Sequence, residues 1–240
     1  MDSDILRNAS PPTARQRKRM VRVLPAVADH FYAKDTVDTP PMTYLDLAAP
    51  AYKGKVCIRS SSNEYNQTLL AAMVTHYGEE KATAWAQGVV DNMARAPQGG
   101  DTDQLRGLVS GECEIAVSNT YYFARALRTD VDGVSAEIDK IGWIFPDQED
   151  TGAHMNLSGA GVAANAPNRD HAVKFLEYLS SDSAQVYFST GNDEFPAVKG
   201  VELAESVAKL GEFKADEVNL SEVAENIPTA QKIFDAVGWE

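Results

Sequence analysis

Three tyrosines in this chain stand where they could act together. Tyr121 and Tyr122 sit where a strand-like run, CEIAVSNT, turns into a helix-like run, YYFARALR, and Tyr65 holds the matching place in VCIRSSSNEYNQTLL. Ligands of open α/β sheets bind beyond the carboxyl ends of the strands, so two strand ends are expected to deliver three phenols to one crevice. A phenol titrates near ~10 and is neutral at pH 7. A trivalent cation strips protons from its ligands and favours hard oxygen donors such as phenolate. Helix amino termini add partial positive charge for the resulting anions. The chemistry expected of these residues is coordination of a hard metal cation.

Neighbouring residues fit the same picture. Arg125 follows Tyr121 by four residues and so lies one helical turn further along the same face, where its cation could offset phenolate charge. Ser60, Ser61 and Ser62 offer hydroxyls and amides at the other junction, suited to cradling a small anion or water, or simply to capping the helix that follows. Capping is the simpler reading. Periodicity alone would assign adjacent tyrosines to packing. Tyr32, Tyr44, Tyr52, Tyr77, Tyr178 and Tyr187, which flank strands or fall in amphipathic helical patterns, are assigned to packing on that ground.

Other motifs carry less. His154 has no second histidine at metal-binding spacing and reads as a structural residue. Gly159-x-Gly161-x-x-Ala164 resembles a dinucleotide fingerprint, but Asn165, Ala166 and Pro167 open no helix where a pyrophosphate would need one. Ser158 lacks the glycines of a nucleophile elbow, and no serine, histidine and acid set assembles by motif, so nothing supports an enzyme.

The elements that must position the tyrosines are legible. From Met42 onward, short β-branched runs alternate with polar-capped helical stretches, the pattern of a layered α/β protein. Helices are expected over 65–76, ended by Gly78, and over 80–94, with Ala84, Trp85, Gly88 and Val89 on one face. Asp101 or Thr102 is expected to cap a short helix stopped by Gly111 before a strand at 114–117. Pro167 and Asn168 open another helix with Ala172, Phe175, Leu176 and Leu179 on one side, and Asp182 is expected to cap the next.

Composition excludes several classes. A formal charge of −13 repels phosphate backbones and anionic lipid, which argues against nucleic acid as a partner and in favour of cations. No run approaches the ~20 apolar residues of a membrane-spanning helix. Cys57 and Cys113, both in or beside expected strands, read as buried small side chains rather than as a disulfide. Arg15, Arg17, Lys18, Arg19 and Arg22 crowd into a proline-containing segment of an otherwise acidic chain, which reads as a solvated arm.

With RSSSNEYNQTL, PQGGDTDQ, SGECEIAVSNTYYFAR, GEFKAD and AVGW in view, the chain resembles the bacterial periplasmic ferric iron-binding proteins, particularly the cyanobacterial type, over roughly residues 31–240. The resemblance implies the two-lobed periplasmic-binding-protein fold (type II, α/β). It implies Fe3+ as cargo, an inner-membrane ABC transporter permease as partner, a periplasmic location and a monomeric full-length protein. Carried across by position, the iron-coordinating tyrosines fall on Tyr65, Tyr121 and Tyr122, and Arg125 matches an arginine near the metal. Ser60, Ser61 and Ser62 remain candidates for anion or water contacts.

The departures concern the amino-terminal side. Family members begin with a secretion signal and an amino-terminal lobe carrying a further tyrosine, and this chain starts after that point. The resemblance implies a first-lobe remnant at 1–28 and a second lobe at 29–151. The chain then returns to the first lobe at 152–202 and ends in helices packing on the second lobe at 203–240, so the second lobe is complete and the first partial. Residues 16–30 fail to match and matching resumes at FYAKD, the pattern of a truncated or frame-shifted gene. A partial first lobe should leave apolar faces uncovered. Competing readings keep the fold and change the ligand to a small oxyanion or organic solute, or take the chain as the effector domain of a regulator.

Overall fold

Alternating short strands and helices emerge in the order the sequence suggests, in a computed structural model that describes residues 20–240. The strands are β1 (Met20–Ala33), β2 (Val56–Cys57), β3 (Ile115–Asn119), β4 (Ile141–Ile144) and β5 (Met155–Gly161). They form a sheet in the order β2-β3-β1-β4, with β5 pairing to β1. β2 runs parallel to β3, with Val56 opposite Ile115 and Cys57 opposite Ala116. β1 runs antiparallel to β3 and to β4, Phe31 facing Ala116 of β3 on one side and Trp143 of β4 on the other. The mixed sheet follows from the connections: a helical crossover joins β2 to β3, as parallel strands require.

The basic cluster at Arg15, Arg17, Lys18 and Arg19 lies outside the described residues. From Met20 the chain is already a strand, where the sequence reading expected a solvated arm. The reason is tertiary: Val27 and Phe31 are fully buried, and the strand has a ladder partner on each side.

Helices α1 (Glu64–Tyr77) and α2 (Glu79–Asn92) flank Gly78, and with α8 (Leu220–Val237) they enclose the main core. Between these helices and the strands lie Leu70, Val89, Ile115 and Phe234, all within 1 % of complete burial. Polar groups inside this core are satisfied, as burial demands. The Trp85 indole donates to the Tyr44 carbonyl at 2.6 Å, and the Asn92 amide donates to the Leu47 and Ala49 carbonyls at 2.8 Å each.

α3 (Asp101–Ser110) ends at Gly111 in the left-handed conformation, φ 75°, as its sequence suggests. Its start differs from expectation. Gly100 holds the cap position and the Asp103 carboxylate reaches back to the Gly100 N–H at 2.7 Å, leaving Asp101 free for another task. The same shift occurs at α6 (Asp182–Asn192), where the Ser181 hydroxyl, not Asp182, accepts from the Ala184 N–H.

Cys57 and Cys113 form a disulfide, with Cα atoms 5.8 Å apart, correcting the expectation of two buried thiols. The 56-residue separation concealed it; Cys57 ends β2, and Cys113 lies two residues before β3, the parallel neighbour of β2. A Cβ on Gly107 would lie 2.6 Å from the Cys113 sulfur, so only glycine lets α3 close over the bond.

The described chain divides into two compact units. One contains Val27–Asn156 and Gly211–Glu240, and with it the core just described. The other contains Leu157–Leu210 together with the chain up to Ala26. In the latter, α5 (Arg169–Leu179) was expected to bury four apolar residues on one face, yet only Leu176 is buried and Phe175 is 59 % exposed. Tyr178 and Tyr187 are also exposed, which corrects their assignment to packing.

Two outcomes follow for stability. Closing a loop of this length removes enough unfolded-chain entropy that the disulfide is worth about 4 kcal/mol, so Cys57→Ala/Cys113→Ala should lower Tm by roughly 10 °C. A melt unchanged from that of the unreduced parent would refute this. Asp29 is fully buried, and neither carboxylate oxygen has a hydrogen-bond partner among the described residues. Burial raises its pKa well above the usual 3.8, so the folded state binds the extra proton. Stability from this group is therefore full below about pH 4 and declines as pH rises. Asp29→Asn should raise Tm at pH 8 and leave it nearly unchanged at pH 4; equal shifts at both pH values would contradict the argument.

Candidate metal centre

Both junctions repeat one local plan. β2 ends at Cys57, a turn from Arg59 through Asn63 follows, and α1 begins at Glu64 with Tyr65 as its second residue. β3 ends at Asn119 and α4 (Thr120–Arg128) begins at once, with Tyr121 as its second residue. Because β2 and β3 are parallel neighbours, the two helices start on the same side of the sheet. The Tyr65 and Tyr121 hydroxyls consequently meet at 3.1 Å, although 56 residues separate them in sequence. Tyr122 stacks on Tyr121 with ring centroids 4.1 Å apart. All three tyrosines are half-buried.

The cap residues of these helices, Asn63 and Asn119, make no side-chain cap bond, so the helix starts keep their partial positive charge facing this region. The three serines do not supply the cap either, contrary to the simpler reading. The Ser60 and Ser62 hydroxyls bond each other at 2.8 Å. Ser61 acts through its backbone, its N–H donating to the Glu240 carbonyl at 3.1 Å and its carbonyl accepting from the Gln67 amide at 3.1 Å.

Electrostatics define what the phenols can do. Burial pushes the Tyr121 hydroxyl far above its ordinary value, and hydrogen bonds to the Tyr122 and Tyr65 hydroxyls push it further. Burial likewise raises Tyr122, with Asp101 adding to the rise and the bond from Tyr121 opposing it. By themselves, then, Tyr121 and Tyr122 stay protonated. Only a strong positive charge arriving among them could ionise the set.

Two arginines flank the tyrosines. The Arg125 guanidinium lies 5.8 Å from both the Tyr121 and the Tyr122 ring centres, within cation–π range of each. Arg59, which sequence reasoning passed over, lies 5.9 Å from the Tyr65 ring centre. Its guanidinium donates to the Asp101 carboxylate at 2.7 Å. The other Asp101 oxygen accepts from the Asn119 backbone N–H at 2.8 Å and side-chain amide at 3.0 Å. An arginine directly after the apolar strand run VCI was the available signal for the first; nothing local marked Asp101, whose partners are 42 and 18 residues away.

Among the described residues, no group of three or more histidine, cysteine, aspartate or glutamate side chains could hold a metal ion. His154 is buried, its Nε2 3.3 Å from the Thr68 hydroxyl, and burial lowers its pKa to about 4, so it stays neutral. Gly159 and Gly161 lie in β5, a strand, which removes the dinucleotide reading. The oxygen donors that converge are the phenols.

Comparison with known proteins agrees in family and fold. The pattern of the bacterial extracellular solute-binding proteins matches residues 20–215. Iron uptake protein A1 of Synechocystis sp. is 47 % identical over 198 residues, covering 82 % of this chain and 55 % of that protein. Iron uptake protein A2 of the same organism is 39 % identical over 213 residues, covering 88 % and 62 %. This chain thus spans little more than half the length of these curated relatives. A solved structure of the Trichodesmium protein (IdiA, FutA) in complex with iron and citrate ligands superposes with a TM-score of 0.91 at 41 % identity, covering all of this chain and 77 % of that one. The architecture is that of type II periplasmic binding proteins, and the chain belongs to the bacterial extracellular solute-binding proteins.

Proposed function

We propose that the chain captures ferric iron through the phenolates of Tyr65, Tyr121 and Tyr122 and serves an iron ABC transporter. The observation that carries this reading is the 3.1 Å approach of the Tyr65 and Tyr121 hydroxyls from two separate helix starts. Packing needs no such convergence of polar tips, and a hard trivalent ion does.

Each residue then has a task. The three phenols lose their protons to the incoming ion and ligate it as anions. Arg125, near the Tyr121 and Tyr122 rings, balances part of the negative charge that accumulates. The overall charge of −13 favours approach of cations over anions. The Ser60 and Ser62 hydroxyls, 2.8 Å apart, can turn toward water or a small anion that completes the coordination. No bond of a substrate is made or broken in this scheme; the protein is a carrier. The names of the Synechocystis relatives and the iron-bound Trichodesmium structure support iron as cargo. On the same reading the protein works in the periplasm, as a monomer handing iron to an inner-membrane permease.

Ferric iron added to the purified chain should produce a visible phenolate-to-metal charge-transfer band. Tyr121→Phe should weaken it and lower ferric affinity at least roughly tenfold, equivalent to about 1.4 kcal/mol; a protein that stays colourless in ferric excess would end the proposal. Arg125→Gln should cost on the order of tenfold in affinity, measured by competition with citrate, and parity with the parent would remove Arg125 from the site.

A further inference from the structure

Arg59 and Asp101 make a connection that packing does not require. The Asp101 side chain is 98 % buried, and a charge so placed is costly unless its partners are well chosen. Its partners are Arg59, two residues beyond the end of β2, and Asn119, the last residue of β3 and the cap of α4. One carboxylate therefore ties together the two junctions that present Tyr65 and Tyr121. The Arg59 backbone is held just as firmly. Its carbonyl accepts from the Asn66 amide at 2.6 Å, the residue after Tyr65, and from the Trp239 indole at 3.0 Å.

The guanidinium itself is only partly committed. Its Nη1 serves Asp101, while its buried Nε has no hydrogen-bond partner among the described residues. Its charge lies 5.9 Å from the centre of the Tyr65 ring, as Arg125 lies 5.8 Å from those of Tyr121 and Tyr122. The two cations thus divide the three phenols between them.

We propose that Arg59, clamped by Asp101, is a second charge-compensating and positioning residue of the tyrosine site, fixing the spacing of the two helix starts and offsetting phenolate charge on the Tyr65 side. Electrostatics agree: burial alone would lower the Arg59 pKa, but the hydrogen bond and the charge of Asp101, with a contribution from Tyr122, raise it instead, so the cation is secure. Asp101 holds Arg59 in place. The inference rests on the ferric reading of the same site.

The test uses the full chain and its Arg59→Gln and Arg59→Lys variants, titrated with ferric nitrilotriacetate while affinity, the charge-transfer wavelength and Tm are recorded. Removing the cation makes the phenolates better electron donors, so Arg59→Gln should move the band to longer wavelength and lower affinity on the order of tenfold. Arg59→Lys keeps the charge without the fork geometry, so it should restore the wavelength and recover only part of the affinity. A colourless parent would defeat the ferric reading and this inference with it. A coloured parent whose variants match it in band and affinity would defeat the Arg59 role alone. If both variants instead lose affinity and Tm together with the band unmoved, Arg59 is a structural brace and the proposal is overturned.

Discussion

The parallel pairing of β2 with β3 is the constraint on which the site depends. Only two residue pairs define it, Val56 with Ile115 and Cys57 with Ala116, yet it sets two helix starts side by side and in the same orientation. Each helix places a tyrosine at its second position, and the hydroxyls meet because the strands do. A pairing so short is weak alone. It is reinforced by the disulfide that links Cys57, the last residue of β2, to Cys113 just before β3, and by the Asp101 bridge between Arg59 and Asn119. Slippage by one residue would turn the strand side chains to the opposite face and carry the tyrosines apart.

Polarity at the site is arranged against the unliganded charge state. Burial keeps the Tyr121 and Tyr122 hydroxyls protonated, and the nearby Asp101 carboxylate adds to this at Tyr122. Two guanidiniums stand at aromatic distance from the three rings. Such an arrangement is quiet without a metal and responsive to one, because an arriving cation both displaces the protons and finds its excess ligand charge already balanced.

How much of this the sequence disclosed can be traced residue by residue. Helices α1 to α4 and the two strand-to-helix junctions were legible because periodicity, glycine stops and polar starts are local signals. The convergence of Tyr65 with Tyr121 and Tyr122 was legible for the same reason, through the rule that ligands gather beyond strand ends. The disulfide was not, since register between β2 and β3 decides it and no local feature reports register. Asp101 was misread as a cap: at a helix start a carboxylate normally serves its own amides, and here Asp103 took that duty and freed it. β1 was missed because Pro25 and the neighbouring arginines look unlike a strand, while its pairing with β3 and β4 overrides local composition.

The contrast between the two units gives these differences a common cause. Where α1, α2 and α8 enclose the core, apolar periodicity largely translated into burial: the assignments of Trp85 and Val89 held, while Ala84 is exposed. In the unit containing α5 and α6 the same periodicity left Phe175, Tyr178 and Tyr187 exposed. Periodicity states which face seeks cover, and burial records whether cover is there. The tyrosine site lies wholly in the first of these units, so its geometry is fixed by the part of the chain whose apolar faces are closed. Trp239 shows how directly: its ring packs against Phe234 in the core while its indole N–H grips the Arg59 carbonyl, so that core packing sets the position of the very residue that faces Tyr65.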